Sequence, residues 1–165
     1  MRRSRALPTR WIDRSARPLA LAVVVALAVA CRSHVPDVGP LQPVLREDDQ
    51  VVELLMEADS LATRDPVAAA RNMRETALPR ARANWEVAGA IAVQHPRANR
   101  LRAELVRLTA ERASTIEAYA GALDRNDVTA LHETIQRQVA LDQAMDRLES
   151  DVEAARHAPA ERGCR

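Results

Sequence analysis

A long stretch of helix-forming residues restricts most strongly how this chain can fold. From Glu47 to His157 the chain has only two glycines and three prolines, and it is otherwise rich in Ala, Leu, Arg, Glu and Gln, which favour helices. β-Sandwiches and barrels need aromatic and β-branched residues in short runs, but only 2% of this chain is aromatic. We therefore expect an all-α protein, with Trp85 and Tyr119 on apolar stripes and packed in its core.

Prolines and turn residues divide this stretch into helices. Asp65 suits an N-cap and Pro66 the first helical residue after it, and Pro79 should kink or divide the helix that follows. Pro96 either starts the next helix or kinks one long rod. The helical spacing of apolar residues between these points predicts an elongated antiparallel bundle of three to four helices.

The last two apolar stripes predict a C-terminal αα-hairpin over residues 97–157. Asn126 suits the left-handed position after a helix, and Asp127 suits the next N-cap. A turn there places these apolar residues opposite each other: Leu123 and Leu131, Tyr119 and Ile135, Leu108 and Met145, Leu105 and Leu148, Leu101 and Val152. The same register predicts the ion pairs Arg112–Asp142, Arg107–Asp146 and Arg100–Glu153.

The amino-terminal residues have the three parts of a secretory signal peptide. Residues 1–17 contain six arginines and one acid, residues 18–31 carry no charge, and small residues precede Cys31. A basic segment, a short apolar segment and a small-residue cleavage site are typical of such peptides. The apolar run is shorter than the roughly 20 residues of a membrane-spanning helix. Its basic flank should stay cytoplasmic, which places the rest of the chain outside.

The end of this run, Ala28-Val29-Ala30-Cys31, resembles the lipobox of bacterial lipoproteins. The resemblance implies cleavage between Ala30 and Cys31, acylation of the Cys31 thiol and usually acylation of the new amino terminus. One position departs from the pattern, because Ala28 stands where Leu is preferred. The same small residues also fit ordinary secretory cleavage, so soluble secretion and an uncleaved anchor remain alternatives.

These boundaries define the expected organisation of the chain. We expect a signal peptide over residues 1–30, a Pro-rich extended tether over 31–46, a helical bundle over 47–157 and a flexible tail over 158–165. If Cys31 is acylated, Cys164 is unpaired and could form an intermolecular disulfide in an oxidising compartment. With simple secretion, a Cys31–Cys164 bridge becomes available instead.

The sequence contains no recognisable arrangement for catalysis or for metal binding. Its four histidines, His34, His95, His132 and His157, lie far apart, and neither His-Glu-x-x-His nor a repeated Glu-x-x-His occurs, although helical metal sites need three or four converging ligands. Gly-rich phosphate loops, haem-attachment motifs and nucleophile elbows are also missing from the sequence. We therefore expect no catalytic residue, no metal, no cofactor and no small-molecule substrate.

Cleavage before Cys31 would change the charge balance of the protein. The whole chain has 24 arginines, no lysine and 23 acids, with a formal net charge of +1. Removal of residues 1–30 takes away six arginines and one acid, which leaves 18 arginines against 22 acids, or −4. The densest basic group consists of Arg71, Arg74, Arg80 and Arg82. It lacks interleaved aromatic residues, and we expect it to pair with acids of the first helix rather than with nucleic acid.

Together these features predict a lipid-anchored cell-envelope protein that faces the periplasm and acts without catalysis. Its partners would be the membrane, through acylated Cys31, and an envelope protein that the sequence does not specify. We favour the outer membrane, because Arg32 is not a strong inner-membrane retention signal. The alternative is a periplasmic sensor or chaperone-like protein that binds metal or unfolded chains. Such a protein would resemble small extracytoplasmic stress proteins in its helical hairpin, but their Leu-Thr-x-x-Gln motif is missing here.

Overall fold

The structure is a computed structural model, and it describes residues 37–158. A short 3₁₀ turn, Gly39–Leu41, precedes five α-helices: α1 (Gln42–Ala62), α2 (Pro66–Asn72), α3 (Leu78–Ala90), α4 (Pro96–Arg125) and α5 (Val128–Arg156). The described residues contain no β-strand. The prediction of an all-α helical bundle is therefore confirmed.

Helices α2 and α3 form one helical segment with a π-helical turn, Met73–Ala77, between them. Asp65 caps the start of this segment, because its carboxylate accepts a hydrogen bond from the backbone N–H of Ala68 at 2.9 Å. The π-helical turn ends two residues before Pro79, which lacks an N–H and whose ring would clash with the preceding turn of a regular α-helix. A wider turn accommodates such a residue within a helix. The sequence predicted that Pro79 would kink or divide this helix, and the structure shows a π-helical turn before Pro79 without a division of the helical segment.

Helices α4 and α5 form the predicted C-terminal hairpin. Pro96 starts α4, with His95 as a N-cap whose ring nitrogen accepts a backbone N–H at 3.2 Å. Asn126 has a left-handed backbone, with φ of 50°. Asp127 then caps α5 by accepting a backbone N–H at 3.0 Å. The turn residues identified in the sequence therefore have the roles that their chemistry predicts.

Two apolar clusters hold the helices together. The first joins the residues around the start of α1 to the hairpin, and the second joins the rest of α1 to α2, α3 and the hairpin. Four of the apolar pairs predicted across the hairpin share a cluster: Leu105 with Leu148, Leu108 with Met145, and Leu101 with Val152 in the first, and Leu123 with Leu131 in the second. The predicted register of the hairpin agrees with these clusters.

The prediction of an extended tether is wrong for residues 37–46. Helix α1 begins at Gln42, and Val38 and Leu41 are buried in the first apolar cluster. Pro43 is compatible with this helix because it lies in the first turn, where the backbone N–H has no partner within the helix. The prolines suggested a linker, but the apolar residues between them pack in the core. The rest of the predicted tether, residues 31–36, lies outside the described residues.

Trp85 is exposed on α3, so the prediction that it packs in the core is wrong. The buried face of α3 is formed by Leu78, Ala81, Asn84 and Ala88. Asn84, one residue before Trp85, faces α1 and its side-chain nitrogen donates a hydrogen bond to the carbonyl oxygen of Val44 at 3.0 Å. The buried face of α3 therefore includes a polar residue, so the spacing of apolar residues alone does not identify this face.

Candidate binding groove

The residues that the sequence marks for export lie outside the described part of the chain. Ala30, Cys31 and Cys164 fall within residues 1–36 and 159–165, so cleavage and lipidation remain predictions. Within residues 37–158, no helix is long and apolar enough to cross a membrane. In the same range, no group of three or more His, Cys, Asp or Glu residues is arranged to hold a metal ion. A groove runs along the surface between α1 and α5.

This groove, which we call the α1–α5 groove, lies between α1 and α5 with α4 beneath it. One part of it, the apolar stretch, has a volume of about 250 Å³ and is lined by residues that include Val52, Leu55, Met56, Tyr119, Ile135 and Val139. The other part, the acidic stretch, has a volume of about 170 Å³. The two stretches share Val52, Met56 and Asp142, so they form one continuous groove.

Large apolar side chains of the groove are exposed to solvent. Met56 on α1 is 62% exposed, and Ile135 and Val139 on α5 are 44% and 47% exposed. The sequence placed Ile135 opposite Tyr119, and both residues do line the apolar stretch, although neither is buried. Single exposed apolar residues are ordinary, whereas several along one groove form a patch that is typical of a binding site.

Tyr119 connects the floor of the apolar stretch to α1. Its hydroxyl donates a hydrogen bond to the carboxylate of Asp59. Burial raises the pKa of the Tyr119 phenol above its ordinary value, and the contact with Asp59 raises the pKa further. Both effects disfavour the phenolate, because it would be poorly solvated there and would face a negative charge.

We expect the Tyr119 phenol to ionise well above the ordinary tyrosine pKa of about 10 in the folded protein. Tyr119 is the only tyrosine in the chain, so the ultraviolet absorbance of phenolate against pH reports on this group alone. In concentrated urea the pKa should fall to about 10, and Asp59→Asn should lower the folded-state pKa part of the way. An unshifted pKa in the folded protein would contradict the assigned environment.

The raised pKa of Tyr119 also determines how stability should depend on pH. Below the unfolded-state pKa of about 10, the phenol is neutral in both states and its contribution to stability is complete. As the pH rises above that value, the unfolded chain ionises first and becomes more favourable, so the free energy of unfolding should fall. Tyr119→Phe should remove this part of the alkaline loss of stability.

Carboxylates crowd the rim of the acidic stretch. Asp49 and Glu53 on α1 and Asp146 and Glu149 on α5 all line it. Within the described residues, the ion pairs formed by exposed arginines with acids use other carboxylates: Arg74 with Asp124, Arg80 with Glu47, Arg82 with Glu117, Arg107 with Glu104 and Glu111, and Arg156 with Glu153. The negative charge of this rim is therefore not offset by an ion pair within residues 37–158.

One of the three ion pairs predicted across the hairpin is present. Arg112 contacts Asp142 at 2.6 Å. Arg107 pairs with acids of its own helix and not with Asp146. Glu153 contacts residues other than Arg100. These partners are Glu104 and Glu111 for Arg107, and Gln42, Arg156 and His157 for Glu153. The two wrong pairs involve exposed side chains, which readily contact residues three or four positions away on the same helix.

Arg112 lies beneath the acidic stretch and connects three helices. Its guanidinium contacts Asp48 of α1 at 2.8 Å and Asp142 of α5 at 2.6 Å. Arg112 is only 1% exposed and Asp48 only 3%. Burial raises the pKa of the Asp48 carboxyl, and the hydrogen bond from Arg112 opposes that increase. The guanidinium of Arg112 is already shared between two carboxylates, so it does not offset the charge of the rim.

The chain matches no protein-family model, no curated protein and no solved structure.

The groove was not predicted from the sequence, although its α1 wall has a recognisable pattern. On α1, Asp49, Glu53, Met56 and Asp59 follow one another at intervals of three or four residues, so they share a helix face. We assigned the acids of the first helix to the arginine group around Arg80 instead. Only the pair between Arg80 and Glu47 agrees with that assignment, because Arg74 and Arg82 contact acids of α4.

Proposed function

We propose that this protein is a lipid-anchored cell-envelope protein that faces the periplasm and binds a helix of another envelope protein in the α1–α5 groove, without catalysis. The observation that carries the binding role is the exposed apolar stretch formed by Met56, Ile135 and Val139. Apolar patches with a polar rim are typical of protein interaction sites. A partner helix lying along α4 would contact both walls, as in other complexes in which a helix occupies a groove.

The proposed anchor is supported by the lipobox-like sequence that ends at Cys31. Five residues lie between Cys31 and Asp37, where the described part begins. The six steps from Cys31 to Asp37 can span at most about 20 Å, which would limit the distance between the membrane surface and the start of the bundle. Acyl chains contribute about 0.8 kcal/mol per buried methylene, and more than one chain gives stable attachment. The outer membrane is our preferred location, because Arg32 is not a strong retention signal.

Cys31→Ala should move the protein from the membrane fraction to the soluble fraction. The substitution removes the thiol that would carry the diacylglyceryl group and leaves the bundle unchanged. Cell fractionation measures the location, intact-mass analysis detects the acyl chains, and circular dichroism checks that the helices remain. Equal membrane association of the wild-type and variant proteins would rule out an anchor at Cys31, but it would not affect the role of the groove.

In-cell photocrosslinking tests the groove itself. We expect a photoreactive amino acid at Val139 to form a defined adduct with a partner protein in cells that express the full chain. Val87 is the matched control, because it is also an exposed valine but lies on α3, outside the groove. The adduct at Val139 should disappear when Met56→Glu is added. The same adduct from both positions, or no adduct at Val139, would contradict a partner in the groove.

A second candidate is a chaperone-like protein that binds unfolded chains, and the exposure of Met56 favours it because Met adapts to varied apolar partners. This candidate predicts adducts with many proteins at Val139, whereas a dedicated partner gives one. If the protein instead binds metal, the addition of metal ions should shift its melting temperature. Substitution of His132 or His157 should abolish that shift.

A further inference from the structure

We infer that the occupant of the α1–α5 groove is a basic amphipathic helix, with apolar residues toward the apolar stretch and Arg or Lys side chains toward the acidic stretch. This inference rests on the proposed binding role of the groove and specifies the chemistry of the partner. It follows from three properties of the described residues. These are the charge of the rim, the length of the walls and the poor fit of the surface to a second copy of itself.

The charge of the rim selects a cationic partner. Seven carboxylates line the two stretches: Asp48, Asp49, Glu53, Asp59, Asp142, Asp146 and Glu149. Arg112 is the basic side chain in the same lining, and it is already shared between Asp48 and Asp142. Like charges across an interface are unfavourable, whereas opposite charges speed association and select the partner. A neutral helix would leave the rim uncompensated, and an acidic helix would be repelled.

The length and order of the walls describe the partner further. The α1 wall runs from Leu45 to Asp59 and the α5 wall from Ile135 to Glu149, and each is about 21 Å long at 1.5 Å per helical residue. A partner helix of about four turns spans that distance. The carboxylates concentrate toward the start of α1 and the end of α5, and the exposed apolar residues lie toward Met56 and Ile135. The partner should therefore have its basic residues concentrated toward one end.

A second copy of this chain fits the same surface poorly. In a symmetric dimer the same patch contacts itself, so the acids around Asp146 and Glu149 of one copy would face either the acids or the apolar stretch of the other, and neither supplies a positive charge. Their charges would oppose the apolar contact made by Ile135 and Val139. The charge of the groove therefore favours a different protein as the source of the helix.

Three designed helical peptides test the inference with the purified full chain. The peptides share one apolar face and differ only in the flanking residues, which are Arg, Gln or Glu. Fluorescence anisotropy at low salt should show the Arg peptide binding at least about tenfold more tightly than the Gln peptide, with no detectable binding of the Glu peptide. Because the screening length falls from about 10 Å at 0.1 M salt to about 3 Å at 1 M, the advantage of the Arg peptide should largely disappear at high salt.

Charge variants locate the effect in the groove. Glu53→Gln combined with Glu149→Gln should weaken the Arg peptide by about tenfold and leave the Gln peptide unchanged. Glu86→Gln combined with Glu133→Gln changes the net charge equally at exposed positions outside the groove lining, and it should have little effect. Equal weakening by both double variants would show a general charge attraction and would overturn the inference.

Further outcomes separate this inference from the proposed function. Equal binding of the Arg and Gln peptides, lost with Ile135→Glu, would support the groove as a site but overturn the choice of a basic partner. Failure of all three peptides would also overturn that choice, while the adduct at Val139 would still decide whether a partner occupies the groove. A dimer in analytical ultracentrifugation that Val139→Glu dissociates would identify a second copy as the occupant and would overturn the inference.

Discussion

Replacing Arg112 by Met should lower the free energy of unfolding by about 3–5 kcal/mol, because removal of one partner from a buried ion pair leaves the other charge uncompensated. Arg112 is buried and contacts Asp48 and Asp142 from two other helices. Of the two carboxylates, Asp48 is the buried one, so it loses more electrostatic stabilisation than Asp142 when the guanidinium is removed. Urea denaturation of the purified protein at neutral pH measures the change.

Two comparisons distinguish this buried contact from an ordinary ion pair. Arg107→Met removes exposed pairs with Glu104 and Glu111 and should cost less than about 1 kcal/mol. Adding Asp48→Leu to Arg112→Met should recover most of the lost stability, because apolar residues often replace a buried ion pair without loss. Similar small losses from the Arg107 and Arg112 substitutions would contradict the arrangement of Arg112, Asp48 and Asp142.

The pH dependence of the Arg112→Met variant follows from Asp48. Burial raises the pKa of this carboxyl in the folded state, and loss of Arg112 should raise it further because the guanidinium opposes the effect of burial. A group with a raised folded-state pKa binds more protons in the folded than in the unfolded state. The variant should therefore regain stability relative to the wild-type protein as the pH falls through the folded-state pKa of Asp48.

Leu105→Ala should lower the free energy of unfolding by about 2–5 kcal/mol, because truncation of a buried leucine loses apolar burial and leaves a cavity. Leu105 is fully buried on α4 and belongs to the same cluster as Leu148 on α5. The double variant with Leu148→Ala should lose less than the sum of the single losses, with a difference of about 0.5–3 kcal/mol for residues in contact.

Val128→Ala provides the control for this prediction. Val128 is an exposed apolar residue at the start of α5, so its truncation should change stability by no more than about 0.5 kcal/mol. Denaturant unfolding of the wild-type protein and the four variants measures these differences. Additive losses at Leu105 and Leu148 would indicate that these residues do not pack together across the hairpin.

Local chemistry explains which features of the fold could be predicted from the sequence. The helix boundaries at Pro96, Asn126 and Asp127 depend on residues within one turn of the boundary, and their structural roles agree with the prediction. The hairpin register also needs only one turn position and a regular helical spacing. The start of α1 could not be predicted in the same way, because burial of Val38 and Leu41 depends on contacts with the distant hairpin.

The same distinction applies to the candidate site. The contact between Arg112 and Asp142 follows from the hairpin register and was predicted. The contact between Arg112 and Asp48 joins residues 64 positions apart, and it depends on how α1 packs against the hairpin. The groove has the same dependence, because one of its walls is α1 and the other is α5. The sequence indicates the composition of each wall but not that the two walls lie on either side of α4.

The packing of α1 against the end of α5 has a consequence for how the protein is assembled. Gln42 donates a hydrogen bond to Glu153, which is 111 positions later in the chain, and Val38 shares a cluster with Val152. Closing a loop of that length costs chain entropy before the contacts form, so these contacts should form later than those between neighbouring helices. The α4–α5 hairpin is closed by a short turn, and helical proteins with local contacts fold in microseconds to milliseconds. Of the described helices, α1 should therefore pack last, and pulse-labelling hydrogen exchange during refolding should show protection of α4 and α5 amides before those of α1.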